Sequence, residues 1–246
     1  MDLVSVITPY YRKKNFIKES ILSILNQSYK NLEIILIYDD FDKGDLSFIQ
    51  QIVALDKRIK LIINPKNLGA GHSRNLAIKS AKGSYLAFLD SDDIWKEHKI
   101  KNQMSFMKKN NLLISHTSYE IIDKNKNIIG ERKAKNFYEL KDLLKSCDIG
   151  LSTVMLEKKI ISDECMFTDL KTKEDFVLWL TILKHKIIIG SLDDNLTLWR
   201  KLDNSLSSSV LQKLIDGYNV YHKHMKFNLF KSLYYLFFLI INYLKK

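Results

Sequence analysis

One cluster of acidic residues in this chain has the composition and spacing of a metal site. Asp90-Ser91-Asp92-Asp93 comes directly after the apolar run at residues 85–89. Carboxylate oxygens are the ligands that hard divalent cations such as Mg²⁺ and Mn²⁺ prefer. A cation held there would neutralise the charge that builds on a departing nucleoside diphosphate. The same four residues could instead form an Asx turn or a helix N-cap, so their surroundings must decide.

The elements that must position this cluster alternate between strands and helices. Short apolar runs rich in β-branched residues predict strands, and helical apolar spacing at residues 16–25 and 46–53 predicts crossover helices. Near-continuous apolar strands joined by helices indicate a mostly parallel sheet that is covered on both faces. The predicted strands occupy residues 3–8, 32–38, 59–63 and 85–89.

Ligands of such sheets bind beyond the carboxyl ends of the strands. Three groups of polar residues follow strand ends here: Thr8 to Arg12, the Asp39-Asp40 pair, and the aspartates from Asp90 to Asp93. The sequence therefore predicts that these groups share one edge of the sheet. The second half alternates less regularly, with a predicted strand at residues 112–122, a turn at 125–127 and a helix at 176–183.

Four motifs stand in a fixed order before and at the acidic cluster: Val4-Ser5-Val6-Ile7-Thr8-Pro9-Tyr10-Tyr11, Asp39-Asp40, Asn67-Leu68-Gly69-Ala70-Gly71-His72-Ser73-Arg74-Asn75, and Asp90-Ser91-Asp92-Asp93. In this order they resemble the family-2 glycosyltransferases over about residues 3 to 200. The resemblance implies an α/β domain of the GT-A fold at residues 1–205, followed by a C-terminal helical tail at 206–246. It also implies an enzyme that transfers a sugar, with inversion, from a nucleoside-diphosphate donor, for which we expect UDP.

The resemblance also assigns roles along the donor. Thr8, Pro9 and Tyr10 would line the nucleoside pocket together with the Asp39-Asp40 pair, in which Asp40 would accept an N–H of the base. Asp90 would contact the ribose, and Asp92 would hold Mg²⁺ or Mn²⁺ against the diphosphate. Arg74 would lie near the donor phosphates, where its guanidinium could form a charge-assisted pair.

A second acidic pair, Glu174-Asp175, matches the pair in which the family's second member is the catalytic base. A single displacement needs one base to take the proton of the acceptor hydroxyl, and the resemblance makes that base Asp175. Alternatively, the two residues form the acidic first turn of a helix and interact only with its dipole.

The chain departs from the family pattern at two places. Leu202 stands where the family often has a histidine, so any support that this histidine gives to metal or diphosphate would fall to Asp92, water, Arg200 or Asp203. Arg12 stands where an asparagine is common after the Pro-x-Tyr triplet.

Residues 227–244 form an apolar tail with Lys226 and Lys231 at its start and Lys245 and Lys246 after it. It is shorter than the roughly 20 residues of a membrane-spanning helix. It could lie in an anionic membrane interface, or pack on the catalytic domain or another subunit. A polar run at Ser205 to Ser209 predicts a loop ahead of it.

Composition narrows the classes of protein further. The net charge of +11 favours anionic partners, yet no nucleic-acid-binding motif occurs, and Cys147 and Cys165 have no disulfide or zinc spacing. With no signal-peptide pattern, we expect a cytoplasmic enzyme. The resemblance implies surface polysaccharide or glycolipid synthesis, and hence a glycan or lipid-linked acceptor that the enzyme meets peripherally on the inner face of the plasma membrane. Two rival functions are a sugar nucleotidyltransferase and a nucleotide-binding partner without turnover, although the former normally has a glycine-rich loop after its first strand.

Overall fold

The computed structural model describes residues 1–202 and 209–245. Along the described chain, strands and helices alternate through the first half, as predicted. The strands are β1 (Val4–Tyr10), β2 (Leu32–Tyr38), β3 (Ile59–Ile63), β4 (Tyr85–Phe88), β5 (Ile94–Trp95), β6 (Ile114–Ile122), β7 (Ile128–Arg132), β8 (Met155–Glu157) and β9 (Ile189–Arg200). The helices are α1 (Lys14–Leu25), α2 (Leu46–Val53), α3 (Ala70–Ser80), α4 (Lys99–Lys109), α5 (Leu140–Leu143), α6 (Glu174–Lys184), α7 (Val210–Asn219) and α8 (Leu229–Leu244).

These strands form a single sheet in the order β3-β2-β1-β4-β8-β6-β9-β5, with β7 paired to β6. Strands β3, β2, β1 and β4 are mutually parallel, and so are β6 and β9. Strand β8 runs antiparallel between β4 and β6 and joins the two parallel sets. The mostly parallel α/β sheet predicted from the sequence is therefore confirmed.

Helices cover both faces because the parallel strands are apolar on both sides. Along β2, Ile35 and Ile37 pack into the core that contains α3 and α6, whereas Ile34 and Leu36 pack into the core that contains α1, α2 and α4. All seven residues of β2 are buried, which explains why its sequence is apolar without alternation.

The C-terminal helices lie against the sheet domain. Tyr221, in a π-helical turn at Val220–His224, is fully buried, and its hydroxyl donates to the carbonyl of Leu144 at 2.6 Å. Its ring makes an edge contact with Phe176 of α6, and Leu239 of α8 joins the same core. The predicted loop at Ser205 to Ser209 lies outside the described residues except for Ser209, which caps α7.

No helix among residues 1–202 and 209–245 is long and apolar enough to cross a membrane.

Candidate active site

The carboxyl ends of β1, β2 and β4 meet at one edge of the sheet because the three strands are parallel and in register. Ile7 lies beside Ile35 on one side and Phe88 on the other. The residues at the ends of these strands therefore lie along one edge, as the sequence predicted, although β1 extends to Tyr10, so that Thr8, Pro9 and Tyr10 belong to the strand itself. Thr8 is fully buried and its hydroxyl has no hydrogen-bond partner within the described chain, while Pro9 is partly exposed at the edge.

Tyr10 closes one side of this edge. Its ring stacks on Tyr38 with a centroid distance of 5.4 Å, and its hydroxyl donates to Asp45 at 2.6 Å. Burial and the neighbouring Asp45 carboxylate raise the pKa of Tyr10. Tyr10 is fully buried, so in this structure its ring supports the sheet edge from within the core and does not line an open pocket.

Asp39 organises the loop that precedes α3. Its buried carboxylate accepts the backbone N–H groups of Leu68 at 2.8 Å and Gly69 at 2.9 Å, and the side-chain amide of Asn64 at 2.7 Å. Gly69 has a φ of 84°, a left-handed conformation that glycine adopts without strain. Both Asp39 oxygens are engaged by this loop, so its contribution to the pocket is to shape the loop.

Asp40 lies beside Asp39 and is paired with Arg12. The Arg12 Nε donates to Asp40 at 3.1 Å, and the arginine side chain is 64% exposed, so it covers the carboxylate from the solvent side. The departure from the family pattern at Arg12 therefore bears directly on the carboxylate predicted to contact the base.

Arg74, on α3, connects the two acidic groups. Its guanidinium is almost completely buried and donates from Nη2 to Asp90 at 2.6 Å and from Nη1 to Glu174 at 2.7 Å. The ring of Phe167 lies 5.4 Å from the guanidinium carbon. Arg74 was predicted to lie near the donor phosphates, and in this structure both of its Nη atoms donate to carboxylates.

Glu174 and Asp175 form the first turn of α6, directly after Lys173, whose φ is 67°. Burial raises the pKa of Glu174 to about 7, against the opposing effect of Arg74. Burial likewise raises the pKa of Asp175, which is half-buried and accepts the backbone N–H of Phe176 at 2.7 Å. The two carboxyl groups thus titrate closer to neutral pH than exposed carboxyl groups do.

Ser152 and Arg200 form hydrogen bonds to the aspartate loop after β4, residues 90–93. The Ser152 hydroxyl donates to Asp93 at 2.5 Å and accepts the backbone N–H of Asp90 at 3.1 Å, and the backbone N–H of Arg200 donates to Asp93 at 2.8 Å. Burial raises the pKa of Asp93 well above its ordinary value. Asp92 alone among these aspartates turns its carboxylate toward Lys13, at 2.9 Å.

The Arg200 side chain is 1% exposed, and its guanidinium N–H groups donate hydrogen bonds to other protein groups. It donates to the carbonyl of Asp92 at 2.8 Å, to the carboxylate of Glu19 at 2.9 Å, and to two carbonyls in the turn after β6. Arg200 was predicted as one of the groups that could support metal or diphosphate; in this structure its donors are engaged by protein groups around residues 90–93 and the turn after β6. Leu202 lies two residues further on, while Asp203 lies outside the described residues.

Comparison with known proteins identifies the family of this chain. The model of "Glycosyl transferase family 2" matches residues 5–159. The chain belongs to this family.

Two curated relatives show how far the similarity extends. A UDP-Glc:alpha-D-GlcNAc-diphosphoundecaprenol beta-1,3-glucosyltransferase, WfgD of Escherichia coli, is 37% identical over 99% of this chain and 94% of its own length. A putative teichuronic acid biosynthesis glycosyltransferase, TuaG of Bacillus subtilis, is 31% identical over 94% of this chain and 91% of its own.

Among solved structures, S. aureus TarS 1-349 in complex with UDP-GlcNAc superposes with a TM-score of 0.75 at 20% identity. The match covers 91% of this chain and 65% of that one. It establishes the GT-A fold. Because the family model and both curated relatives are glycosyltransferases, the protein is a glycosyltransferase, and the rival interpretation as a nucleotidyltransferase is set aside.

Asp92 was predicted to hold a divalent cation through its side chain, and a carboxylate is the kind of ligand that Mg²⁺ and Mn²⁺ prefer. Its carboxylate is partly exposed, at 17%, and lies at the open edge of the sheet. Burial raises the pKa of Asp92 while Lys13 opposes this change. No group of three or more histidine, cysteine or acidic side chains gathers for a metal ion within the described chain, so any cation there would take most of its ligands from phosphate and water.

Sequence reasoning missed the residues that support these carboxylates. Lys13, Ser152, Glu19 and Asp216 belong to no motif, and each acts across a long separation in the chain. Asp216 of α7 is buried and accepts both the backbone N–H and the hydroxyl of Thr172 at 2.9 Å, two residues before Glu174. A buried aspartate in an otherwise basic and apolar tail was the one signal that could have indicated this contact.

Proposed function

We propose that this glycosyltransferase transfers a sugar from a UDP-linked donor, with inversion, to a hydroxyl group of a lipid-linked acceptor. The observation that carries the proposal is the Arg74 bridge, which joins the Asp90 carboxylate at the donor edge to the Glu174-Asp175 pair. Donor-binding and proton-accepting groups are thereby held in one rigid cluster, as a direct displacement requires.

In this mechanism Asp40 accepts an N–H of the uracil ring, and Asp90 accepts a ribose hydroxyl through the oxygen that Arg74 leaves open. Arg12 must swing away from Asp40 when the base arrives, which its exposure allows. UDP as the nucleotide is supported by WfgD, named for UDP-Glc, and by the TarS complex with UDP-GlcNAc.

Asp175 takes the proton of the acceptor hydroxyl while the oxygen attacks the anomeric carbon. The bond from that carbon to the diphosphate oxygen breaks in the same step, and its electron pair leaves with UDP. One displacement at one carbon inverts its configuration. A divalent cation on Asp92, Mg²⁺ or Mn²⁺, would supply charge neutralisation for the leaving diphosphate. The raised pKa of Asp175 makes it a stronger base than an exposed aspartate.

The acceptor is proposed from the relatives and from the exposed surface. WfgD is named for a diphosphoundecaprenol acceptor, and TuaG for teichuronic acid synthesis. Residues 209–245 contain five lysines and one acidic residue, Asp216, which is buried. The outer face of α8 exposes Phe230, Leu233 and Phe237. A lipid-linked acceptor would be met at an anionic membrane surface through this face.

The proposal is tested by Asp175→Asn with Glu174→Gln as its neighbour control. We expect Asp175→Asn to lower the rate of transfer about a hundredfold to ten-thousandfold and to leave UDP affinity nearly unchanged, because the base touches only the acceptor. Glucosyl transfer from UDP-Glc to a diphosphoprenol-linked GlcNAc is the first assay, and UDP affinity is measured by calorimetry.

Glu174→Gln should lower the rate less, because this residue acts through Arg74. If Asp175→Asn keeps more than about a tenth of the wild-type rate, Asp175 is not the base.

A further inference from the structure

Lys13 is the cation that faces the Asp92 carboxylate. It is the last residue before α1, and its Nζ lies 2.9 Å from Asp92 Oδ2. The two side chains are only 21% and 17% exposed, so the pair is shielded from bulk water. The nearby arginines are directed elsewhere: Arg200 donates to the Asp92 carbonyl and Arg74 to Asp90.

The position of this ammonium has a consequence for metal binding. A Mg²⁺ or Mn²⁺ ion bound to the Asp92 carboxylate would lie close to the Lys13 ammonium, which is 2.9 Å from Oδ2. Two positive charges at such a separation repel strongly in a site partly shielded from water. The Lys13 ammonium and the divalent cation therefore oppose each other's binding to this carboxylate.

We infer that Lys13 competes with the divalent cation for Asp92 and, once displaced, pairs with the donor diphosphate. This inference rests on the proposed role of Asp92 in holding the cation. Lysine suits the exchange, since its ammonium is a compact charge on a flexible four-carbon stem. Lys13 keeps Asp92 paired when no donor is bound, and the diphosphate supplies new negative charge when the cation takes its place.

The inference predicts two changes of opposite sign in Lys13→Met. Mn²⁺ alone, followed by paramagnetic resonance of the free ion, should bind about three- to tenfold more tightly, because its competitor is gone. UDP in the presence of saturating Mn²⁺ should bind more weakly by a similar factor, because the diphosphate loses the contact that the displaced Lys13 makes. Lys13→Arg should retain UDP binding.

The matched control is Lys14→Met, which removes the same charge from the next residue. Lys14 pairs with Asp45 at 3.0 Å and is 53% exposed, so neither affinity should change. In an Asp92→Asn background, Lys13→Met should no longer affect Mn²⁺ binding. Thermal melting of each variant checks that it is folded.

Three results distinguish an error in the proposed cation site from an error in the role inferred for Lys13. If Asp92→Asn leaves Mn²⁺ affinity unchanged, the cation site of the proposed function is wrong and the inference falls with it. If Asp92→Asn weakens Mn²⁺ binding but Lys13→Met changes it no more than Lys14→Met does, only the competition is wrong. Unchanged UDP affinity in Lys13→Met at saturating Mn²⁺ overturns the diphosphate contact.

Discussion

Arg74 neutralises two carboxylates that come from distant parts of the chain. Its guanidinium is buried between Asp90 and Glu174, and its planar fork matches a carboxylate at each end. A buried charge of this kind is costly when its partners are removed. Its role is to position the acidic groups, and it reaches the substrate only through them.

Replacing Arg74 should therefore damage both stability and transfer. We expect Arg74→Met to lower the free energy of unfolding by about 3–5 kcal/mol, since two carboxylates lose their partner. Arg74→Lys keeps the charge but can reach only one carboxylate well, so its stability should fall less while transfer still drops. Urea denaturation and steady-state rates measure the two effects. Wild-type stability in Arg74→Met would contradict the bridge.

The pH dependence of stability should report Glu174. Its pKa is raised from 4.5 to about 7, so the folded protein binds the proton more tightly than the unfolded chain does. Stability contributed by this proton is complete below about pH 4.5 and is lost as the pH rises to about 7. Glu174→Gln should therefore gain stability relative to the wild type as the pH rises through this window. A difference that does not vary with pH, in urea denaturation from pH 4.5 to 8, would refute the raised pKa.

Residues that follow a strand end could be located from the sequence, whereas their partners could not. Asp39, Asp40, Asp90 and Asp92 were predicted at one edge because parallel strands end together. Arg74 and Glu174 are 100 residues apart, and the Arg200 backbone meets Asp93 across 107 residues. Such pairings depend on how α6 and β9 pack on the sheet, which local spacing does not encode.

At the level of secondary structure, α7 supports the start of α6. Asp216 accepts two hydrogen bonds from Thr172, and Lys173 then adopts a left-handed conformation before the acidic pair. The orientation of Asp175 thus depends on a helix that lies outside the region matched by the family model, residues 5–159.

Asp216→Ala should weaken the support that α7 gives to the start of α6 without changing donor binding. Loss of a buried acceptor leaves two donors of Thr172 unsatisfied, at a cost of about 1–3 kcal/mol each when they stay buried. We expect faster hydrogen exchange at residues 170–176, a lower rate of transfer, and unchanged UDP affinity. Asp216→Asn keeps one acceptor oxygen, so its hydrogen exchange and its rate of transfer should lie between those of the wild type and Asp216→Ala. Unaltered exchange at 170–176 in Asp216→Ala would show that the contact does not hold α6.

The strands and helices could be predicted from the sequence more readily than the order of the strands in the sheet. The first four strands and the helix at α6 follow from apolar runs and spacing, since each period is local. The antiparallel insertion of β8 between β4 and β6 was not foreseen, because three residues carry too little periodicity to predict a strand or its partner.

At the scale of the whole molecule, the outer face of α8 presents exposed apolar side chains. Phe230 is 82% exposed, Leu233 47% and Phe237 59%, while Ser232 and Leu239 on the opposite side are buried. Lys231 and Lys145 lie against aromatic rings of the same helix region. Apolar side chains bordered by lysines suit an anionic membrane interface.

Phe230→Ser/Leu233→Ser/Phe237→Ser should weaken binding to vesicles of phosphatidylglycerol and phosphatidylethanolamine by at least about tenfold, measured by cosedimentation. The side chains are exposed, so melting temperature and donor hydrolysis should stay near wild type. Deletion of the tail would not isolate this effect, because Tyr221 and Leu239 belong to the core.

The control for this variant removes three exposed apolar side chains elsewhere, at Phe41, Ile128 and Ile129. It should bind vesicles as the wild type does, and high salt should weaken both. If the triple α8 variant binds vesicles normally but sediments as a smaller species than the wild type, the face is a contact between copies of this chain instead.

The hydrogen bonds from Thr172 to Asp216 can form only after both residues have been synthesised, so they set the order in which parts of the structure are completed. The two residues are 44 positions apart, so at about 5–20 residues per second the ribosome adds Asp216 roughly 2 to 9 seconds after Thr172. The strands that form the donor edge are made earlier still. A nascent chain therefore contains the strands of this sheet edge before its acidic pair is anchored, and α7 adds the support of Glu174 and Asp175 later.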